Sequence, residues 1–381
     1  MIKASGKLSV AFLYDDSLDK NDGVAQFVKR TGEWLSGQGH NVIYLVGETK
    51  AKKWAGADIF SLSKNLKVSF NGNKLTTPLP AKACRINRVL TKNQFDVLHV
   101  QTPYSPFMAQ RVINRTPKNV GVVGSFHVLP ANVMVVWGTR ALRLIYGRSL
   151  KRFQAMMGVS PAAAEFAKWA LGLPTSVLPN VVDLKKMQVP KPGNQKQNIV
   201  FLGRLVKRKG AAQLLEAFKV VHEKLPDARL TIAGDGPERT NLEKFVRRHN
   251  LNDSVKLLGF IDEKDKPSIL ASAAIACFPS TGGESFGIVL IEAMAAGAGV
   301  VVGGNNPGYA SVLGGSSETL VDPGNSLAFA NQLEKILTDQ NLAQSLHKQQ
   351  QEQVKQYDVD VVGNHLLQIY TEAIASHQQK P

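Results

Sequence analysis

Two successive series of short apolar segments, each alternating with helical segments, constrain the fold of this 381-residue chain most strongly. The first series is residues 8–14, 40–46, 95–100 and 120–127, with a helix predicted over residues 27–38. Nearly continuous apolar strands separated by helices are typical of a parallel sheet that is covered on both faces. The first half of the chain is therefore predicted to form a doubly wound domain.

The pattern then restarts. The second series of strands is residues 197–204, 228–234, 254–260, 274–280 and 298–304, and the helical segments between them are residues 211–224, 238–249 and 266–273. A polar, proline-containing stretch over residues 185–196 has the composition of a linker. We expect an α/β protein of two doubly wound Rossmann-like domains, residues 1–187 and 191–356, facing across a cleft. Ligands of such sheets bind beyond the carboxyl ends of the strands, which predicts a site in that cleft.

The charge of the chain is concentrated in its first half. Residues 1–190 hold 26 basic and 10 acidic side chains, whereas residues 191–381 hold 20 of each, so the net charge of +16 belongs to the first half. This asymmetry indicates an anionic partner for that half.

Several classes of protein are disfavoured by composition. Two cysteines, Cys84 and Cys277, cannot form a disulfide framework or a four-cysteine zinc site, and we expect no metal or cofactor. The apolar residues 8–14 are short and run into Asp15 and Asp16, unlike a signal peptide. Residues 286–304 are interrupted by Glu292 and several glycines, unlike a transmembrane helix. A cytoplasmic protein is predicted.

The segment GGESFGIVLIEAMAAG, residues 282–297, is the most informative for chemistry. It follows a predicted strand and opens a helix, so the free amides of Ser285, Phe286, Gly287 and Ile288 and the helix dipole form a site for a phosphate. Glu284 and Glu292 bracket that site, about 12 Å apart at helical rise. This spacing is wider than the about 5 Å of a retaining glycosidase. It suits a sugar at Glu284 and a ribose at Glu292, although a glycine turn with a capping glutamate is an alternative interpretation.

This segment, together with GRLVKRKG (residues 203–210), AGDGPE (residues 233–238) and LGF followed by Asp262, resembles the family 4 retaining glycosyltransferases, which have the GT-B fold. The resemblance covers nearly the whole chain, and FDVLHV, SFH and Gly23 make it strongest with the phosphatidylinositol mannosyltransferases. It implies that a last helix, within residues 357–381, returns to the first domain.

The resemblance also implies roles for individual residues. Arg204 and Lys209 would bind the donor diphosphate, whose leaving group gains negative charge. Glu284 would contact the transferred sugar, Glu292 the ribose, and Glu263 and Lys266 a guanine base, although an exposed capping role accounts for Glu263 equally well. The donor-binding set is Gly23, Arg204, Lys209, Glu263, Lys266, Glu284, Ser285, Phe286, Gly287, Ile288 and Glu292. The catalytic set is His127, Glu284, Arg204 and Lys209, and the acceptor-binding set is Tyr14 and His127. Lys207 and Arg208 are expected to be solvated.

Three positions depart from the family pattern. Asp22 precedes Gly23 where many relatives have a second glycine, and Val181 stands where glycine is usual. Tyr104 stands near an asparagine of the inositol-specific relatives. This last difference leaves the acceptor open.

Two basic amphipathic segments, residues 82–92 and 140–153, suggest a surface for an anionic membrane. The proposed membrane residues are Arg85, Arg88, Arg140, Arg143, Arg148, Lys151 and Arg152. The alternative interpretation is that these segments are ordinary exposed helix faces of a soluble protein. Nucleic-acid binding would be another use of the charge, but the sequence contains no motif that supports it.

The sequence therefore predicts a retaining glycosyltransferase. It would move a hexose, mannose from GDP-mannose, to a hydroxyl of a lipid such as phosphatidylinositol, at the inner face of the plasma membrane. The alternatives are a UDP-sugar donor with a soluble or different lipid acceptor and, more remotely, a basic nucleic-acid-binding protein. A dinucleotide oxidoreductase is disfavoured because no strand is followed by GxGxxG.

Overall fold

The computed structural model describes residues 6–20, 22–70, 73–130, 133–190 and 197–378. The chain forms two compact units. Unit 1 lies within Met1–Val181 and Val359–Pro381, and unit 2 is Val182–Asp358. The expected linker lies in part within a short helix, Leu184–Met187, and in part, at residues 191–196, outside the described residues.

Unit 1 contains a sheet that has eight strands within the described residues, in the order β10-β9-β8-β7-β1-β2-β4-β3. All neighbouring strands are parallel except β3 and β4. A separate antiparallel hairpin is formed by β5 and β6. The strands are β1 Ser9–Tyr14, β2 Asn41–Val46, β3 Lys53–Trp54, β4 Ala57–Ser61, β5 Asn65–Phe70, β6 Asn73–Pro78, β7 Val97–Thr102, β8 Gly121–Phe126, β9 Phe153–Gly158 and β10 Thr175–Val177. The helices are α1 Gly23–Gly37, α2 Ala83–Lys92, α3 Ala109–Arg115, α4 Val133–Tyr146 and α5 Pro161–Leu171, with α14 Val359–Gln378 from the far end of the chain.

Unit 2 contains a parallel sheet, whose six strands in the described region have the order β13-β12-β11-β14-β15-β16. The strands are β11 Asn198–Leu202, β12 Arg229–Ala233, β13 Val255–Gly259, β14 Ile275–Phe278, β15 Val300–Gly304 and β16 Leu320–Val321. The helices are α6 Leu184–Met187, α7 Ala211–Lys224, α8 Arg239–Arg248, α9 Lys266–Ala271, α10 Ile288–Ala295, α11 Pro307–Leu313, α12 Ser326–Thr338 and α13 Gln340–Gln353. The predicted α/β class with Rossmann-like sheets is confirmed.

Helix α14 packs on unit 1 although it follows unit 2 in the chain. The Trp34 indole donates to Asp360 Oδ1 at 2.7 Å, and the Tyr370 hydroxyl lies 2.7 Å from His99 Nδ1. A Cβ on Gly363 would lie 2.6 Å from the Trp34 ring, so the helix can approach this closely only with glycine there. Beside it, Val182 and Asp358 form a parallel bridge where the chain enters and leaves unit 2.

One predicted segment has a different structure. Residues 140–153 were expected as a single basic amphipathic element, but α4 ends at Tyr146, a 3₁₀ helix covers Gly147–Arg152, and β9 begins at Phe153. The apolar residues of the segment are divided as a result. Leu142 and Leu150 pack into the core, whereas Leu144 and Ile145 are exposed.

Candidate active site

Helix α10 begins one turn later than the sequence predicts. Gly287 is its N-cap, with φ of 99°, so Ser285 and Phe286 belong to the preceding loop rather than to the first turn. A Cβ on Gly287 would lie 2.5 Å from the Tyr309 ring, and the positive φ would strain any other residue. The glycine therefore fixes how the loop enters the helix.

The loop leaves backbone donors available. Among the hydrogen bonds of the described residues, none uses the amides of Ser285, Phe286, Gly287 or Ile288. The Phe286 side chain is buried, edge-on to Tyr357 with ring centroids 5.4 Å apart, so only its amide can face a ligand. Unpaired amides at the start of a helix are a site for an anion.

Glu284 lies at the centre of a cluster of cations. Its Oε1 is 2.8 Å from Lys209 Nζ, accepts from the Arg208 guanidinium, and lies 2.9 Å from the Ser280 hydroxyl. Arg208 was expected to be solvated, and this expectation is wrong. The 3₁₀ turn Lys207–Lys209 places both Arg208 and Lys209 against the carboxylate.

The two loops of this cluster are also joined through their backbones. The Arg208 carbonyl accepts from the Thr281 amide and lies within reach of the Ser280 hydroxyl, each at 2.9 Å. Gly210, with φ of 77°, ends the basic turn, and a Cβ there would lie 1.9 Å from the Pro279 carbonyl oxygen. The basic loop and the glutamate loop therefore form one surface.

The electrostatics of the cluster keep Glu284 ionised. Burial alone would raise the pKa of Glu284, but Lys209 and Arg208 and the hydrogen bonds from Lys209 and Ser280 outweigh burial, so the pKa is lowered. Burial, with the positive charge of Arg208, lowers the pKa of Lys209 against the attraction of Glu284. A buried carboxylate thus stays anionic beside two cations.

A second ion cluster involves Glu292, in the middle of α10. Lys266 Nζ is 3.1 Å from Glu292 Oε1 and 2.8 Å from Glu263 Oε2. The Lys266 and Glu292 side chains are 8% and 3% exposed, whereas Glu263 is 49% exposed. Lys266 therefore pairs with both carboxylates, of which Glu292 is buried and Glu263 is half-exposed. Arg204 is exposed, in the loop that follows strand β11.

His127 follows the last residue of β8 in unit 1. Its Nε2 lies 2.7 Å from Gln101 Oε1, and the Phe27 ring lies 5.4 Å away, centroid to centroid. Burial lowers the pKa of His127 to about 3, so the imidazole is neutral at physiological pH. With the Nε2 proton donated to Gln101, as assigned from this contact, Nδ1 is left as an acceptor.

The other predicted residues of unit 1 have structural partners. Tyr14 is 9% exposed, and its hydroxyl donates to Asp22, at 3.2 Å from Oδ2. Asp22 is the N-cap of α1 and accepts from the Ala25 amide, and Gly23 is the exposed first residue of that helix. Tyr104 is buried, with its hydroxyl 2.7 Å from Ser149 Oγ, which removes its side chain from any exposed site.

The proposed membrane residues divide into two groups. Most are exposed: Arg85, Arg88, Arg140, Arg143, Arg148 and Lys151. Arg152 instead donates to the carbonyls of Thr116 at 2.9 Å and Pro117 at 3.0 Å, at the end of α3. Arg152 therefore has a structural contact that competes with a membrane role.

Two absences concern the described residues alone. They contain no group of three or more His, Cys, Asp or Glu side chains that could hold a metal ion. None of the helices in the described ranges combines the length and the apolar content that a transmembrane span requires.

The fold agrees with comparisons to known proteins. Residues 183–353 match the family described as Glycosyl transferases group 1, and residues 21–186 match Glycosyltransferase Family 4. The protein is thus a glycosyltransferase. It is 30% identical to the phosphatidyl-myo-inositol mannosyltransferase of Mycobacterium tuberculosis H37Rv over 366 residues, covering 93% of this chain and 94% of that protein.

Other relatives agree with this assignment. The phosphatidyl-myo-inositol mannosyltransferase of Mycolicibacterium smegmatis is 28% identical over 363 residues, 93% of this chain and 91% of that protein. Anabaena HepE, solved in complex with UDP, superposes with a TM-score of 0.74 at 17% identity, covering 96% of this chain and 100% of that one. The chain belongs to the family 4 glycosyltransferases, with the GT-B fold.

Proposed function

We propose that this protein transfers mannose from GDP-mannose, with retention of configuration, to a hydroxyl of a membrane lipid such as phosphatidylinositol. The observation that carries the proposal is the cluster of Glu284, Lys209 and Arg208 beside the unpaired amides before α10. A nucleotide-sugar donor needs such an arrangement. The carboxylate would accept hydrogen bonds from the sugar hydroxyls, and the cations and amides beside it would bind the diphosphate. The likeness to phosphatidyl-myo-inositol mannosyltransferases over more than nine-tenths of the chain supports the sugar and the acceptor.

The donor chemistry follows from charge. As the bond to the sugar breaks, the leaving nucleoside diphosphate gains negative charge, which Arg204, Lys209 and the amides before α10 would stabilise. Arg208 adds a third cation at this site. The residues supply position and electrostatics, while the acceptor attacks on the face from which the diphosphate leaves and a donor phosphate oxygen takes the proton.

The base and ribose would lie at the second cluster. Glu292, held by Lys266, would accept from the ribose hydroxyls, and the exposed Glu263 would accept from the N1 and N2 donors of guanine. Uracil offers no such pair of donors on one edge, so Glu263 favours GDP over UDP. His127, through its free Nδ1, would accept a hydrogen bond from the sugar or the acceptor.

The donor can be identified by thermal shift with GDP-mannose, UDP-glucose, UDP-N-acetylglucosamine and ADP-glucose. Binding to the folded state alone stabilises by mass action, so the right donor gives the largest rise in Tm. GDP-mannose is expected to give it. A larger rise with a UDP-sugar would replace the proposed donor and leave the glycosyltransferase assignment intact.

Transfer itself is tested with radiolabelled GDP-mannose and phosphatidylinositol in vesicles. Glu284→Gln and Lys209→Ala are expected to lower turnover at least about a hundredfold, in keeping with the loss of one fixed electrostatic group. Matched controls are Glu318→Gln and Lys335→Ala, which break an exposed ion pair of unit 2 and should leave turnover unchanged. Near-normal turnover in either site variant would overturn the site assignment.

We further propose that the enzyme is cytoplasmic and peripheral on the inner face of the plasma membrane. The lipid acceptor requires contact with a bilayer, and the cationic residues of unit 1 suit the anionic lipids of that leaflet. Nucleic-acid binding is disfavoured because neither the sequence nor the comparisons provide a matching motif.

A further inference from the structure

The charge of unit 1 is concentrated in one continuous stretch of sequence. Residues 59–164 contain 15 Lys and Arg and a single acidic residue, Asp96. The Asp96 Oδ2 accepts from the Ser9 amide at 2.8 Å, so its charge already has a backbone partner. This stretch ends with helix α4 and the start of α5. The first acidic residue after Asp96 is Glu165, within α5.

Helix α4 presents apolar side chains to solvent. Leu144 is 86% exposed, Trp137 62% and Ile145 52%. They are spaced by seven and eight residues, so they lie along one side of the helix. Leu142 and Tyr146 pack into the core from the opposite side of the helix. Trp137, Leu144 and Ile145 therefore do not contribute to that core.

Cations flank these apolar side chains. Arg140 is exposed on α4, and Arg148 is exposed in the 3₁₀ helix that directly follows it. The Arg140 guanidinium lies 4.6 Å above the Trp169 ring, and the Trp137 and Trp169 rings meet edge to face at 6.1 Å. Two indoles, two aliphatic side chains and the Arg140 guanidinium therefore make one surface, and Arg148 is exposed two residues after the end of the helix. We call these six residues the α4 face: Trp137, Arg140, Leu144, Ile145, Arg148 and Trp169.

We propose that the α4 face inserts into an anionic phospholipid bilayer, with Leu144, Ile145 and Trp137 entering the boundary between headgroups and acyl chains. Arg140 and Arg148 would then lie at the phosphate level, and indole rings prefer that depth. This deepens the proposed function, because it names the surface and the lipid charge through which the enzyme reaches its acceptor.

Helix α2, the other basic amphipathic segment, has no exposed apolar side comparable to that of α4. Arg85 and Arg88 are exposed, but the apolar residues Ile86 and Val89 are 1% and 9% exposed and belong to the core. Helix α2 can therefore attract a bilayer only by charge, whereas the α4 face offers both attraction and insertion.

Charge also argues against two other occupants. A second copy of the chain on the same face would bring the exposed guanidinium groups of the two copies together, with Glu165 as the one acid in α4, α5 and the segment between them. A nucleic acid would use the guanidinium groups but leave Leu144 and Ile145 without an apolar partner. A bilayer of anionic lipids complements both kinds of side chain.

The test is flotation of the full-length protein with vesicles of phosphatidylcholine and phosphatidylglycerol, and with vesicles of phosphatidylcholine alone. Wild type should float only with the anionic vesicles. The double variant Leu144→Gln, Ile145→Gln should lower the partition coefficient at least about tenfold, from the lost burial of two aliphatic side chains. Arg140→Gln with Arg148→Gln should lower it by about fivefold for each charge.

Matched controls are available in unit 2. Leu327 is 60% exposed on α12, so Leu327→Gln should not change flotation. Arg247 and Arg248 are exposed on α8, so their replacement by Gln should leave it unchanged. Equal losses in the controls would mean that general hydrophobicity or charge, not the α4 face, drives binding.

Insertion is read out by lipids brominated in their acyl chains, which quench a nearby indole. Wild-type fluorescence should be quenched, and Trp137→Phe should lose most of the quenching. Flotation without quenching would overturn insertion. Dimer formation that the Leu144, Ile145 double variant abolishes, or salt-sensitive RNA binding that it leaves intact while flotation is absent, would also overturn the proposal.

Failure of this inference and failure of the proposed function give different results. If transfer to detergent-dispersed phosphatidylinositol proceeds but wild type does not float, the α4 face is wrong and the function stands. If the protein floats and is quenched as described but transfers no mannose, the surface stands and the function is wrong.

Discussion

At the scale of single residues, Glu284 shows how a buried carboxylate is kept ionised by its surroundings. Two cations and a hydroxyl surround one of its oxygens, and they outweigh the effect of burial on its pKa. Lys209 was named from the sequence, and its distance from Glu284 is that of an ion pair, although its role in transfer stays a prediction. Arg208 was missed because sequence does not reveal which side chains of a short 3₁₀ turn point inward.

Arg208 can be tested against its neighbour. Arg208→Gln should lower kcat/KM about tenfold, because a charged hydrogen bond to Glu284 and one cation at the diphosphate are lost. Lys207→Gln should leave it near wild type, since Lys207 is exposed. Steady-state kinetics with varied donor measure both, and equal values for the two variants would remove Arg208 from the site.

His99 gives a prediction for pH. Burial, with a smaller effect of His127, lowers the pKa of His99 to about 3, below its ordinary value of about 6.5. Between pH about 3 and about 6.5, His99 is therefore protonated in the unfolded chain and neutral in the folded chain. The stability that a neutral His99 provides is present above pH about 6.5 and is lost as pH falls toward about 3, by up to about 1.4 kcal/mol per pH unit.

The measurement is the difference in Tm between wild type and His99→Gln across this range. The difference is needed because Asp15 has the opposite effect. Burial raises the pKa of Asp15 to about 7, so its contribution to the free energy of unfolding falls as pH rises, whereas that of His99 increases. The advantage of wild type should shrink on acidification. A difference that stays constant with pH would show that His99 does not titrate on unfolding.

At the scale of elements, α4 shows what a sequence pattern cannot decide. Leu142, Leu144, Ile145 and Leu150 read as one apolar side of a helix, but the helix ends before Leu150. The turn that follows, not the pattern, sends Leu150 to the core and leaves Leu144 outside. The strands β3 to β6, β9, β10 and β16 were also missed, because they are short or polar in sequence and lack the long apolar runs that marked the predicted strands.

Helix α14 depends on a close approach to α1 at Gly363. Gly363→Ala should destabilise unit 1 by about 1–3 kcal/mol, because the new Cβ would collide with the Trp34 ring. Gly138→Ala is the matched change in α4, where a Cβ has open space, and should raise stability by up to about 1 kcal/mol. Thermal unfolding measures both. A stable Gly363→Ala would mean that α14 can shift away from Trp34 without cost.

At the scale of the whole molecule, each unit has its own hydrophobic core. Two buried clusters belong to unit 1 and a third to unit 2, and Glu284 and Glu292, the carboxylates of the proposed donor site, lie in unit 2. The two-unit α/β architecture was predictable because strand runs and helices alternate twice. The return of α14 followed only from the family resemblance, since nothing in its own sequence names the sheet it covers.

This division predicts an unequal response to nucleotide. GDP at a hundredfold excess over its Kd should stabilise unit 2 by about 2.7 kcal/mol, and unit 1 by less. Calorimetry measures the shift, and Gly363→Ala identifies the transition of unit 1 by lowering it. Lys209→Ala should abolish the shift, and a shift confined to the transition of unit 1 would contradict the assignment of the nucleotide site.

The position of α14 also bears on how the protein is made. The ribosome completes Val182–Asp358 before it synthesises α14, yet unit 1 needs α14 to cover its sheet and to give His99 a partner in Tyr370. The first unit to begin synthesis is therefore the last to be finished. During translation unit 1 therefore lacks one of its helices until all the residues of unit 2 have been synthesised.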